Sequence, residues 1–197
     1  MTLTLRDRPA PDESRRYTPE ELLALPDEKE FELVNGELVR KQQMGMESCW
    51  VAGELFRLLS NYVAAGAGGW AFPQDTGFQC FANDPNRVRK PDAAYIRKGR
   101  VNGLSKGYAR VPPDLVVEVV SPRDLFEEVR GKVEEYLAAD VPLVWLVDPA
   151  SRTVEAYRGS GSVSLFREGD TLTGEDVLPG FSCRVADLFP AGVEVPE

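Results

Sequence analysis

The stretch "PPDLVVEVVSPRD" at residues 112–124 contains the strand from which the rest of the fold is worked out. Its segment from Leu115 to Val120 is apolar except for Glu118, and a carboxylate buried among valines costs free energy unless a partner compensates for it. Side chains alternate along a strand, so Glu118 shares one face with Val116 and Val120. We therefore expect Glu118 to point out of a sheet, toward whatever covers that face.

The residues that follow predict a strand–helix–strand unit over residues 114–148. "DLFEEVRGKVEEYLAAD" (124–140) has the apolar spacing of an amphipathic helix. "VPLVWLVDP" (141–149) is a continuous apolar run, which is typical of a strand buried on both faces. A crossover of this kind is right-handed and joins parallel strands.

The residues before this unit predict two helices and a hairpin. "YTPEELLALP" (17–26) begins with the capping box of Thr18 and Glu21. "FELVNGELVR" (31–40) alternates around an Asn-Gly pair, which is a strong hairpin signal. "ESCWVAGELFRLLSNYVAA" (47–65) has the period of an amphipathic helix.

Further strands complete the pattern. "WAFPQDTGFQCF" (70–81) and "VRKPDAAYIRK" (88–98) are predicted strands joined by a turn, and residues 152–170 form a predicted hairpin. The tail "VLPGFSCRVADLF" (177–189) is expected to be irregular, with a short closing turn. We predict an α/β protein with a mixed central β-sheet flanked by helices, in which residues 1–16 form a flexible arm and residues 17–197 a single domain.

Histidine is absent from the sequence, and its absence excludes whole classes of catalysis. Ser-His-Asp and Cys-His nucleophiles and histidine-ligated metals are ruled out. Any chemistry must use carboxylates, lysine, arginine, hydroxyls or a metal with oxygen ligands. The net charge of −9 argues against broad, nonspecific binding of nucleic acid, but it leaves room for a local basic cleft.

The cysteines and the apolar runs bear on the compartment. Cys49, Cys80 and Cys183 are widely spaced and form no CxxC pair, so neither a zinc site nor a disulfide framework is indicated. The longest apolar runs are shorter than a membrane span, and the first 16 residues lack the apolar stretch of a signal peptide. We expect a cytoplasmic protein without membrane association.

Two carboxylates on neighbouring predicted strands are the first candidate site residues. In "VRKPDAAYI", Asp92 shares a face with Ala94 and Ile96, and if this strand lies beside the one carrying Glu118, the two acids converge. Pro91 limits backbone pairing just before Asp92, which fits a strand start or an edge. A turn or capping role for Asp92 is the alternative.

Lys132 and Glu47 are the other candidates. At 100° per residue, Lys132 lies beside Tyr136 on the margin of the apolar stripe, so its ammonium can reach back toward Glu118 or its stem can simply follow the margin. Glu47 opens the long helix and can approach the same cluster, or it can serve only as a favourable acid in a first helical turn. Glu118 can also form a purely structural ion pair with Lys132 or Arg130.

Two or three carboxylates with one lysine and no histidine suit a magnesium site. Mg²⁺ takes hard oxygen ligands and keeps several waters, one of which can become a nucleophile. Asp92 and Glu118 are the predicted metal ligands, and Mn²⁺ is a possible substitute for Mg²⁺. Lys132 would position the water or stabilise developing negative charge.

Several motifs together carry a resemblance to a known family. "KPDAAYI", "PPDLVVEVVSPRD", "GKVEEYLAADVPLVWLVDP", "FELVNGELV" and "DVLPGF" resemble a large bacterial family of restriction-endonuclease-like proteins of unknown function. That family belongs to the PD-(D/E)XK nuclease superfamily, and the likeness extends from about Tyr17 to Phe189. The resemblance implies a restriction-endonuclease-like fold and magnesium-dependent cleavage of DNA phosphodiester bonds.

The resemblance assigns roles position by position. Asp92 matches the first metal-binding acid, Glu118 the second, and Glu47 the helical acid that some members add. The usual lysine, two residues after the second acid, is replaced here by Val120, and in the resembling family it appears on the following helix, as Lys132. Many relatives also carry a histidine near the start of the long helix, where this chain has "MESCW".

Two functions follow as hypotheses. The first is an Mg²⁺-dependent endodeoxyribonuclease, and the second is a catalytically inactive binding or regulatory module on a nuclease fold, which the valine at position 120 and the acidic charge favour. Cleavage of both strands of a duplex often needs two active sites, so we expect a homodimer, with the hairpins at 31–40 and 153–168 as candidate contact surfaces.

Overall fold

Ten strands and three α-helices make up the part of the chain that the computed structural model describes, residue 12 and residues 14–191. The helices are α1 (Pro19–Leu23), α2 (Met46–Tyr62) and α3 (Phe126–Ala138), with short helical turns at Glu28–Glu30, Val63–Ala67 and Val185–Leu188. The strands are β1 (Phe31–Val34), β2 (Glu37–Arg40), β3 (Trp70–Pro73), β4 (Ala93–Ile96), β5 (Leu115–Val119), β6 (Leu143–Asp148), β7 (Thr153–Arg158), β8 (Val163–Arg167), β9 (Thr171–Gly174) and β10 (Leu178–Arg184). Most of the predicted N-terminal arm lies outside the described residues.

The centre of the fold is a six-stranded mixed sheet in the order β3-β4-β5-β6-β7-β8. β5 and β6 run parallel, and every other neighbouring pair in this sheet is antiparallel. The parallel pair is joined through α3, as the strand–helix–strand pattern predicts. The predicted mixed α/β architecture is therefore confirmed.

One face of the sheet packs against α2. Val51, Leu55 and Leu59 recur at helical spacing along α2 and are fully buried. They join the largest apolar cluster, which contains the other alternating face of β5 with Leu115 and Val117. The core on this side positions β5 but leaves its opposite face available for function.

The opposite face of the sheet packs against α3. Val133 and Tyr136 of α3 contact Val116 of β5 and Val144 of β6 in a second buried cluster. Val116 and Glu118 lie on this face, as the alternation predicts, so the carboxylate of Glu118 points toward α3.

The β1–β2 hairpin forms a separate two-stranded sheet beside the central one. Asn35 and Gly36 both have positive φ, which the two-residue turn requires and which Asn-Gly pairs tolerate. Phe31 and Leu33 are buried in a third apolar cluster, and Leu33 forms a bridge to Val88. This bridge fixes the hairpin next to the segment that leads into β4.

The prediction that the tail is irregular is wrong in one respect. Residues 178–184 form β10, which pairs with β9. The register shifts between Leu178 and Ser182, and Gly180 has a φ of 84°. Pro179 and Gly180 interrupt the alternation that identifies a strand in a sequence, although they form only a bulge in the structure. The predicted short closing turn is present at Val185–Leu188.

Two predicted strands are shorter than their sequence patterns. The segment 70–81 is a strand only to Pro73, because Asp75 has a φ of 70° and turns the chain; Phe78 then forms isolated bridges. The segment 88–98 becomes a regular strand only at Ala93, after Pro91, which has no N–H to donate.

Across the described residues, no helix has both the length and the apolarity needed to cross a bilayer.

The indole of Trp145, on β6 beside β5, packs in the largest apolar cluster. Removing it is expected to lower the stability of the fold strongly. Trp145 is fully buried and lies against Phe181, with ring centroids 5.6 Å apart. Trp145→Ala is expected to lower the free energy of unfolding by about 3–5 kcal/mol in urea titrations, because a cavity replaces the ring. Trp70→Ala, which removes a 40% exposed indole from the edge strand β3, is the matched control and should cost much less. Equal losses in both variants would contradict this packing.

Candidate active site

The backbone register brings Asp92 beside Glu118. β4 and β5 pair with Ala93 opposite Val117, and one residue beyond this pair Asp92 comes level with Glu118. The amide of Asp92 donates to the carbonyl of Val117 at 3.0 Å, and the amide of Val119 donates to Oδ2 of Asp92 at 2.7 Å. The predicted convergence of the two carboxylates is thus present in the structure.

Glu118 is only 8% exposed, and two groups from α3 meet its carboxylate. The hydroxyl of Tyr136 donates to Oε1 at 2.8 Å, and the ammonium Nζ of Lys132 lies 3.9 Å from Oε2. Burial, together with Glu118, holds the pKa of the Tyr136 phenol well above its ordinary value, so this hydroxyl stays a donor. Helix α3 therefore supplies the partners that a charge in the middle of β5 needs.

Lys132 reaches into the cluster from α3, as one of the two sequence interpretations proposed. Its Nζ lies 3.2 Å from Oε2 of Glu32 and 3.9 Å from Oε2 of Glu118. Val120, where the superfamily lysine would stand, lines the same cleft, and its amide donates to the carbonyl of Val147. An ammonium is therefore present beside the second acid, but it comes from the following helix.

Glu32 is a buried acid of the cluster that the sequence analysis did not single out. It is 1% exposed and accepts hydrogen bonds from Nη1 of Arg89 at 2.8 Å and from the amide of Lys90 at 2.8 Å. Strict alternation in "FELV" places Glu32 opposite the buried Phe31 and Leu33, which normally indicates a solvent-facing position. The only sequence signal was the basic "RK" pair directly before Pro91 and Asp92, and this signal was too weak to identify a partner.

Glu47 lies apart from these contacts. It is exposed in the first turn of α2, and no hydrogen bond or ion pair involves it within the described part of the chain. Its neighbour Ser48 is buried instead, and the Ser48 hydroxyl donates to the carbonyl of Val120 at 3.1 Å. The start of α2 thus docks on the end of β5 through Ser48, and a catalytic role for Glu47 stays a prediction.

The electrostatics separate the acids into two kinds. Burial, and then the charge of Glu118, raises the pKa of Asp92 to about 7. Burial also raises the pKa of Glu118, with a contribution from Glu32. For Glu32, burial opposes ionisation, but Lys132 and Arg89 outweigh it and lower the pKa to about 2. Glu32 is a fixed anion, whereas Asp92 and Glu118 resist carrying two charges together.

The cluster lies at the floor of an open cleft of about 750 Å³. The β1–β2 hairpin and the segment after it form one wall, and α3 forms the other. Basic side chains on the hairpin side are Lys29, Arg40 and Lys41, and acidic side chains on the α3 side are Glu128 and Glu135. Both carboxylates, Asp92 and Glu118, line this open cleft.

The donor set fits a magnesium ion. Mg²⁺ is usually bound by one or two protein carboxylates while it keeps several waters. Asp92 and Glu118 supply these two, and no group of three or more acidic or cysteine side chains poised to hold a metal occurs within residues 14–191. Burial, and then the charge of Glu118, raises the pKa of Asp92, and a bound divalent cation would offset both by favouring the ionised carboxylate.

Comparison with known proteins identifies the class to which this fold belongs. The structure is similar to the crystal structure of a "putative nuclease belonging to DUF820" from Anabaena variabilis, with a TM-score of 0.74 and 21% identity over 87% of this chain and 97% of that chain. The fold is therefore the restriction-endonuclease-like fold that the sequence resemblance implied. A search of curated proteins finds no match.

Residues 19–186 match the model of the Uma2 family, which is described as "Putative restriction endonuclease". The chain belongs to this family. Membership supports a nuclease-like function and confirms the resemblance drawn from the sequence motifs.

Asp92→Asn is expected to stabilise the metal-free protein at pH 8. A folded-state pKa of about 7, above the ordinary 3.8, means that the stability from this carboxyl is present below about pH 4 and is lost as the pH rises through 7. Asparagine does not ionise, so urea titrations with a chelator at pH 8 should show a gain in the free energy of unfolding that shrinks toward pH 4.

Asp114→Asn is the matched control for this measurement. Asp114 is 1% exposed and lies at the other end of β5, where it pairs with Arg97 and Arg100. Its loss should destabilise the protein at both pH values, because it removes the carboxylate partner of two cations. An Asp92→Asn variant that is no more stable than the unmodified chain at pH 8 would contradict the proposed crowding of Asp92 and Glu118.

Proposed function

We propose that the protein is an Mg²⁺-dependent endodeoxyribonuclease that hydrolyses DNA phosphodiester bonds. The observation that carries the proposal is the convergence of Asp92, Glu118 and Lys132 on the floor of one open cleft. Membership of the Uma2 family supports nuclease chemistry. Magnesium, the DNA substrate and the role of each residue are the parts that the proposal adds.

Asp92 and Glu118 would hold the ion through oxygens that face the cleft. Oδ2 of Asp92 is engaged by the Val119 amide and Oε1 of Glu118 by Tyr136, and these contacts fix both carboxylates in orientation. A magnesium ion bound there would lower the pKa of a bound water, so that the water could lose a proton to solvent and attack, and it would neutralise charge on the phosphoryl oxygen. Fixed carboxylates also reduce the ordering that metal binding requires.

Lys132 acts in this scheme as a cation rather than as a base. Burial favours the neutral amine, but Glu118 and Glu32 outweigh it and raise the pKa of Lys132 above its ordinary value. An ammonium at neutral pH donates hydrogen bonds and does not accept a proton. Its place is therefore beside the attacking water or the phosphoryl oxygens, where it stabilises negative charge that develops in the transition state.

The inactive binding module is the second candidate, and two observations favour it. Val120 stands where the superfamily lysine is usual, and Nζ of Lys132 is closer to Glu32 than to Glu118. The inactive module predicts an unaltered fold and no metal binding at Asp92 and Glu118. The two candidates therefore differ in metal affinity as well as in activity.

Plasmid and oligonucleotide cleavage tests the proposal. With Mg²⁺ or Mn²⁺, the purified protein should cut DNA, and Asp92→Ala or Glu118→Ala should reduce the rate at least about 100-fold, since each removes a metal ligand. Lys132→Ala should reduce it by about 10²–10³-fold, as does removal of one group that stabilises charge in a transition state. Lys106→Ala, in an exposed loop, is the matched lysine control, and Glu47→Ala tests the remaining prediction for α2.

Calorimetric titration with Mn²⁺ separates the two candidates independently of activity. Binding that is lost in Asp92→Ala supports the enzyme. Uncut DNA, combined with identical titrations of the unmodified protein and Asp92→Ala, would contradict the proposal and favour the binding module.

A homodimer and a cytoplasmic location remain part of the proposal. The exposed Val163 and Leu165 lie on β8, at the edge of the central sheet, and Val39 is exposed on the β1–β2 hairpin. These residues belong to the two hairpins expected to form contact surfaces. Sedimentation of Leu165→Glu and of the unmodified chain tests the hairpin at 153–168 as a contact surface. The variant should sediment as a monomer if this hairpin forms the dimer contact.

A further inference from the structure

Glu32 lies closer to the Lys132 ammonium than Glu118 does. Its carboxylate lies between the guanidinium of Arg89 and the ammonium of Lys132, 3.2 Å from Nζ of Lys132. The corresponding distance from Lys132 to the nearest oxygen of Glu118 is 3.9 Å, which is longer than a hydrogen bond. The ammonium is thus held by Glu32 and only faces Glu118.

The position of Glu32 is fixed from three sides. The bridge between Leu33 and Val88 ties β1 to the segment before β4, and the amide of Lys90 donates to Oε1 of Glu32 at 2.8 Å. Nη1 of Arg89 donates to Oε2 at 2.8 Å. A carboxylate held in this way has little freedom to move when a ligand enters the cleft.

Arg89 does not need Glu32 as its sole counter-charge. Its Nε and Nη2 donate to both carboxylate oxygens of Glu135, at 2.7 and 2.9 Å. This bidentate contact already ties Arg89 to α3. The lysine is in a different situation, because apart from Glu32 its only ion-pair partner among the described residues is Glu118.

Glu118 cannot hold the lysine once it holds a metal. A divalent cation on Glu118 repels an ammonium beside it, so Lys132 would withdraw along its flexible stem unless another anion retained it. Glu32 is that anion, and it is not one of the two proposed ligands. We propose, on the basis of the proposed function, that Glu32 is a positioning residue that anchors the Lys132 ammonium in the active site.

Crystal structures of Glu32→Gln and of the unmodified protein, each with and without Mn²⁺, test the anchor directly. Glutamine keeps the shape and one acceptor oxygen, which can serve either the Lys90 amide or Arg89, but it loses the charge. We expect Nζ of Lys132 to stay beside Glu118 in the unmodified protein and to leave the site in the variant with Mn²⁺ bound. An ammonium that keeps its place in the variant would overturn the proposal, whether or not the protein cuts DNA.

Kinetics of the double mutant provide the second test. Glu32→Gln should lower kcat about 10–100-fold with little change in KM for DNA or in the Mn²⁺ affinity, since a misplaced group costs rate without removing the ligands. In the Lys132→Ala background, Glu32→Gln should have almost no further effect, because the residue it positions is gone. Equal losses in both backgrounds would show a merely structural role and contradict the proposal.

Two further variants keep the test decisive. If Glu32→Gln does not fold, Glu32→Asp keeps the charge against Arg89 but withdraws the carboxylate by one methylene, and the same loss of kcat is expected; unchanged kcat would contradict the anchor. Asp114→Asn removes a buried ion-pair carboxylate away from the cleft and should leave kcat unchanged. If the unmodified protein cuts no DNA, the proposed function fails, and the position of Lys132 in the crystals still decides the role of Glu32.

Discussion

The carboxylate of Glu118 lies in the middle of a buried strand, and the arrangement of α3 on the sheet follows from the need to compensate it. An unpaired buried charge costs several kcal/mol, so the partners must be on the face that the strand presents. Tyr136 and Lys132 occupy successive turns of α3 and meet Glu118 from that face. The apolar contacts of Val133 and Tyr136 with Val116 hold the helix where these polar groups reach.

The same cluster combines a stabilised part with a strained part. Glu135, Arg89, Glu32 and Lys132 form a chain of ion pairs that ties the hairpin to α3. The backbone register brings Asp92 beside Glu118, and burial, together with the charge of Glu118, raises the pKa of Asp92 to about 7. Stability is given up where two acids converge, and perturbed carboxylates of this kind cluster at functional sites. This contrast favours a metal site over a structural role for the pair.

Alternation and helical periodicity predicted the faces on which the candidate residues Asp92, Glu118 and Lys132 lie, and the family resemblance assigned them to one site. The period of two in "LVVEVV" and "PDAAYI" put Glu118 and Asp92 on one face, and the period of 3.6 put Lys132 at the margin of α3. Sequence patterns did not identify Glu32 as a site residue, because its partners lie far along the chain. Alternation in a short hairpin also does not reveal that both of its faces are covered. The strand β10 was not predicted, because the bulge at Pro179 and Gly180 interrupts the alternation of apolar and polar residues. Local sequence patterns predict which face of a strand or helix a side chain occupies. Contacts between segments that are distant in the sequence can be identified only from the three-dimensional fold.

The proposed chemistry depends most on whether Asp92 and Glu118 share one divalent cation. Anomalous diffraction from crystals soaked in Mn²⁺ measures this without reference to any substrate. We predict one strong peak in direct contact with a carboxylate oxygen of each residue, with the Lys132 ammonium retained beside Glu32. A cleft without such a peak at saturating Mn²⁺, with Glu118 still paired to Tyr136 and Lys132 alone, would contradict it.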